Sequence, residues 1–61
     1  MNIENLLDRW QVAEVLGTHP ETVRKMAKNH EIPAMIIRNK WYFNLEQIEN
    51  WMKEKMMENL K

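Results

Sequence analysis

Apolar and polar positions alternate in blocks that change period along the chain. From Val12 to Leu16, the apolar residues Val12, Ala13, Val15 and Leu16 recur at helical spacing and share one face. Asp8 stands before this block with Gln11 three residues on, the pattern of a capping box. Leu7 and Val12 flank the cap as a hydrophobic staple. Gly17, the single glycine, falls where a left-handed helix stop is needed. A second helix follows almost at once. Thr18 with Glu21 reads as its capping box; the alternative is His19 as cap with Pro20 at the first helical position. Val23, Met26 and Ala27 point one way, and Glu21, Arg24, Lys25 and Lys28 roughly the other. Pro33 bars continuation, so this helix is expected to end near Asn29–His30.

Between Ala34 and Phe43 the period becomes two, the pattern of a β-hairpin. A three-residue loop, Arg38-Asn39-Lys40, pairs Ile37 with Trp41 and Met35 with Phe43 and gives those four one buried face. Ile36 and Tyr42 then face outward. A two-residue loop of Asn39-Lys40 would mix polar and apolar side chains on one face, so the longer loop is preferred, with Asn39 left-handed. A last helix starts after Asn44 as N-cap with Gln47 three residues on. Leu45, Ile48, Trp51, Met52, Met56 and Leu60 form its apolar stripe, and the tail from Lys55 to Lys61 is expected to fray.

Two short helices joined through Gly17 form a helix-turn-helix signature, and the hairpin and helix that follow make it winged. The fold expected is mainly α with a small β-hairpin, a winged helix-turn-helix of order helix, helix, strand, strand, helix. It is read as a single domain over residues 1–61 with its core at about 6–57. Such units lay the second helix in the major groove of double-stranded DNA. Arg24, Lys25 and Lys28 supply donors on the exposed face of that helix, with Thr22 at its edge. Arg38, Asn39 and Lys40 at the wing tip can reach phosphates or a minor groove.

An ordered set of motifs runs from Leu6 to Met52. It comprises Leu6-Leu7, Val12-Ala13-Glu14-Val15-Leu16-Gly17, Thr22-Val23, Glu31-Ile32-Pro33-Ala34, Trp41 and Gln47-Ile48-Glu49-Asn50-Trp51-Met52. It resembles the excisionase-type, MerR-like winged helix-turn-helix domains. That family includes phage and transposon excisionases, which bind and bend attachment-site DNA and help an integrase excise an element. The module also occurs in small phage regulators and in terminase small subunits. The resemblance implies DNA contacts on the second helix (Thr22, Arg24, Lys25, Lys28) and the wing (Arg38, Asn39, Lys40). It also implies a recombinase partner and cooperative self-association on DNA. The chain departs from the family where glycine is usual, at His30 and at Arg38 in the wing turn. It departs again at Ile36 and Tyr42, where members often carry basic residues; an apolar pair there offers a surface for a partner protein or a second copy.

Composition narrows the alternatives. The chain has 61 residues, 44% of them apolar, and no cysteine, so disulfides and thiolate metal sites are excluded. A chain this short has no room for a cleft between lobes, and no nucleophile–base or carboxylate pair suggests catalysis, so no enzyme is expected. His19 and His30 are too few and too far apart for a metal site, and neither a metal nor a cofactor is expected. The longest apolar runs, Ala34–Ile37 and Trp41–Phe43, are too short to span a membrane. The N-terminus has no signal-peptide pattern, so a cytoplasmic location is the default. Trp41 and Trp51 read as core by periodicity. Trp10 lies off the apolar face of its helix; packing on the last helix near Met56 or Leu60 is favoured over a protein-contact role. The six methionines read mostly as gap-fillers, though Met56-Met57 could extend a self-association surface.

Net charge is zero, with nine basic and nine acidic residues. By region it is not flat. Residues 1–17 set Arg9 against Glu4, Asp8 and Glu14, for −2. Residues 18–44 set Arg24, Lys25, Lys28, Arg38 and Lys40 against Glu21 and Glu31, for +3. Residues 45–61 set three lysines against four glutamates, for −1. The positive segment is the one expected to face DNA, and acidic flanks limit non-specific binding.

Overall fold

A computed structural model describes residues 5–59. Within it the elements run β1 (Leu6–Asp8), α1 (Arg9–Leu16), α2 (Pro20–Lys28), β2 (Met35–Ile37), β3 (Lys40–Asn44) and α3 (Leu45–Asn59). The three helices and the β2–β3 hairpin are the winged helix-turn-helix architecture.

The helix boundaries follow from local chemistry. Asp8 Oδ1 accepts from the Gln11 backbone N–H at 2.9 Å, and Gln11 Oε1 accepts from the Asp8 N–H at 3.0 Å, which completes the capping box of α1. Gly17 ends α1 in the left-handed region at φ 68°. The Thr18 N–H donates to the Ala13 carbonyl at 2.9 Å, closing the helix end. His19 is the cap of α2 and Pro20 its first residue, with no side-chain capping bond. Of the two caps the sequence allows, the chain therefore uses the one that fits the fixed φ of proline. Asn44 Oδ1 accepts from the Gln47 N–H at 3.1 Å and starts α3.

The sheet differs from the sequence expectation in two ways. First, a third strand is present. Leu6, Leu7 and Asp8 pair antiparallel with Asn44, Phe43 and Tyr42, so the strand order is β1-β3-β2 with β3 central. Leu7 is thus a sheet residue beside Phe43, partly buried against the core. Second, the hairpin loop is Arg38-Asn39 alone. Ile37 pairs with Lys40, Ile36 with Trp41 and Met35 with Tyr42. Both loop residues have positive φ, 51° at Arg38 and 66° at Asn39, as a type I′ turn requires. That turn matches the right-handed strand twist, and the match outweighs the uniform apolar face that a three-residue loop would give. Ile36 and Tyr42 therefore lie on opposite faces, not together as expected. Ile36 shares the Trp41 face near the tip and is 56% exposed; Ile37 is exposed as well.

The core is built from Val12 and Ala13 of α1, Val23 and Ala27 of α2, Ile32, Phe43 of β3 and Ile48 of α3. Leu16, Met26, Trp41 and Trp51 pack around it, partly buried. Val15, expected on the α1 core face, is exposed, because that short helix buries only the side carrying Val12 and Ala13. Trp10 is 63% exposed and Met56 59%, so neither is buried as the expected packing on the last helix would require. Met52, Met56 and Met57 are also exposed, so among the described residues the stripe of α3 meets the core through its first two turns. Leu60, the stripe's last member, lies outside the described residues. No helix among the described residues is long and apolar enough to cross a membrane.

Candidate nucleic-acid interface

The α2 helix presents its polar side away from the core. Val23 and Ala27 define its inner face, so a 100° turn per residue puts Lys25, Lys28 and Glu21 on the outer face. Lys25, Lys28, Glu21 and Thr22 are exposed, with Thr22 on one flank. Arg24 is on the other flank, its side chain 34% exposed. It is held by Glu21 rather than left free: its Nε donates to Glu21 Oε1 at 2.9 Å, and a second guanidinium nitrogen donates to the same oxygen. The expected Glu21–Lys25 pair gives way to this Glu21–Arg24 pair, since a planar guanidinium can bind one carboxylate oxygen with two N–H groups. The hydrogen bond from Arg24 holds the Glu21 carboxyl below its usual range, with Lys25 and Arg9 adding smaller effects. The same bond raises the Arg24 guanidinium further.

Arg24 faces a groove of about 560 Å³ between the start of α1 and the hairpin. Asn39 and Lys40 line its far side, so the structure gathers Arg24 with two of the three wing residues singled out from the sequence. Arg38, the third, is exposed on the turn and is not among the lining residues. Lys25, Lys28 and Thr22 are also outside the groove, on the outer surface of α2. Of the candidate protein-contact residues, Trp10 and Tyr42 line the groove and Ile36 does not.

The groove adds a residue that the sequence reading passed over. Arg9, the first residue of α1, lines it beside Trp10, its guanidinium 5.7 Å from the centre of the indole ring. Its position next to a cap residue reads as local helix chemistry, and only the tertiary fold brings it opposite Lys40. Arg9, Arg24 and Lys40 come from three elements and converge on one concavity, with Asp8 the acid among its lining residues. The described residues hold no cluster of His, Asp or Glu suited to a metal ion.

Comparison with known proteins agrees with this architecture. The helix-turn-helix domain family matches residues 6–56, which spans both helices of the motif, the hairpin and most of α3. No curated protein and no solved structure gave a significant match to the chain. With most of its length matched, the chain belongs to the helix-turn-helix domain family.

Proposed function

We propose that the protein binds double-stranded DNA, with α2 in the major groove and the Arg38-Asn39 turn reaching the flanking backbone. The observation that carries this reading is the outward array of Lys25 and Lys28 on α2, continuous with Arg24 and the wing residues Asn39 and Lys40. Thr22 and Arg24 flank the array and are assigned base-edge or phosphate contacts. The family supports the same reading, because helix-turn-helix units dock in this way.

Within DNA binding, the role proposed is that of an excisionase. Copies of the chain bind neighbouring sites, bend the DNA and direct an integrase to excise a mobile element. This finer role rests on the motif resemblance and on the small number of cations per copy, which makes cooperation between copies useful. A phage transcriptional regulator would use the same surface at a different site. A protein-interaction module is a second reading, favoured by the exposure of Trp10 and Ile36.

The test is a footprint of the chain on genomic fragments, repeated with Arg24→Ala and Lys28→Ala combined. The double variant should fold normally by circular dichroism and lose the footprint. Retention of the footprint would reject α2 as the reading element. A stable complex with protein that ignores DNA would favour the interaction module.

A further inference from the structure

We infer that Arg9 is a DNA-backbone contact, and that the groove between α1 and the wing clamps phosphodiester groups through Arg9, Arg24 and Lys40. This rests on the DNA-binding reading above and extends it to a third element of the fold.

The placement of Arg9 works against its own helix. The first turn of a helix carries the positive end of the backbone dipole and favours anions. In α1 no acidic residue occupies that turn, and a guanidinium stands at its first position. Helix stability does not account for that arginine. Its neighbours are arranged around its charge instead. The Trp10 ring lies 5.7 Å from the guanidinium, within cation–π range, and is itself largely exposed. Arg9 also helps to lower the Glu21 carboxyl, so its field reaches the α2 side of the groove.

The groove has the charge of an anion site. Three cations line it against Asp8, whose Oδ1 is already engaged by the Gln11 N–H; Arg24 enters it paired with Glu21, which leaves Arg9 and Lys40 as its further cations. A phosphodiester needs such donors and little else, and a duplex backbone delivers phosphates in series. Arg24 lines the groove and also stands one helical turn before Lys28 on α2, so a strand following α2 meets the groove at Arg24. A free nucleotide offers the same phosphate chemistry, and the test separates the two sources.

The experiment measures the salt dependence of binding for the full chain on a 20-base-pair duplex of random sequence, by fluorescence anisotropy across a potassium chloride series. Arg9→Ala should weaken binding several-fold at low salt. It should also make the slope of log K against log[salt] shallower by about 0.9, the loss of one phosphate contact. Its melting temperature should hold or rise, because a cation leaves the helix N-terminus. Arg9→Lys should keep most of the slope, and Trp10→Phe should bind better than Trp10→Ala. Arg9→Ala with wild-type affinity and slope, while the Arg24/Lys28 double variant fails, would overturn the groove assignment and leave DNA binding standing. A clear drop in its melting temperature would assign Arg9 a structural role and also overturn it. A wild-type chain with no salt-dependent binding to duplex DNA would overturn both readings. Displacement of the duplex by an equal phosphate concentration of thymidine dinucleotide would give the groove to free nucleotides and reject the backbone.

Discussion

The indole N–H of Trp51 donates to the backbone carbonyl of Glu31 at 2.9 Å, joining α3 to the segment between α2 and β2. Twenty residues separate the two groups, so the bond ties the last helix to the end of the helix-turn-helix. It lets a large aromatic residue pack against the core with its polar edge satisfied. Trp51→Phe keeps most of the packing and loses the bond. The expected cost is about 1 kcal/mol, a typical net value for one hydrogen bond, read as a lower urea midpoint with an unchanged m-value.

The left-handed backbone at His30 and Arg38 gives a prediction of the opposite sign. Their φ values are 59° and 51°, a region that costs a side chain roughly 1–2 kcal/mol and glycine almost nothing. Glycine also gains freedom in the unfolded chain, which offsets part of the benefit. His30→Gly should therefore stabilise the fold by roughly 0.5–1 kcal/mol, with a melting temperature a few degrees higher. Arg38→Gly should do the same and also remove a cation from the wing tip, so its DNA affinity should fall while its stability rises.

Glu21 lies where it can restrain Arg24. The DNA contact proposed for Arg24 would have to release or share the two-pronged contact with the carboxylate. Glu21→Gln should therefore raise affinity for random-sequence duplex, measured by anisotropy at two salt concentrations. The pH dependence has a definite sign. The folded-state pKa of Glu21 is lowered, chiefly by the Arg24 hydrogen bond. The pair therefore contributes to stability above the ordinary carboxylate pKa and loses that contribution as pH falls through the depressed value. Below that point Arg24 is released. The wild-type excess of stability over Glu21→Gln should be present at neutral pH and vanish in acid.

Phe43 and Ile48 are fully buried at the junction of the sheet and α3. Phe43→Ala removes a large side chain from a core of few residues, at a cost of about 3–5 kcal/mol. A domain of this size has total stability of the same order. The variant should be largely unfolded at 25 °C by circular dichroism, whereas Ile48→Val should remain folded at a cost of roughly 1 kcal/mol.

The parts of this fold that local chemistry determines were legible in the sequence. Asp8 with Gln11, Gly17, and Asn44 with Gln47 each mark a helix end through a bond spanning three or four residues. The strand β1 was not legible. Three residues have no period to speak of, and Leu6–Asp8 become a strand only by pairing with β3 some 35 residues away. The hairpin register is hidden for another reason: alternation favours the longer loop, whereas turn geometry decides the register, and side-chain pattern does not signal a positive φ at arginine. The candidate site divides likewise. Lys25 and Lys28 follow from the period of α2, whereas the meeting of Arg24 with Asn39, Lys40 and the unanticipated Arg9 is a tertiary fact.

The central position of β3 has a mechanical consequence. Asp8 pairs with Tyr42, so the third strand braces the hairpin to within two residues of Lys40 and the turn. At about 3.3 Å per residue, Lys40 stands roughly 7 Å beyond the brace and the turn follows directly. A lever so short limits how far the turn can move relative to α2. On the DNA-binding reading proposed above, a mismatch with the spacing of a straight duplex would be relieved by curving the duplex, the more compliant of the two bodies.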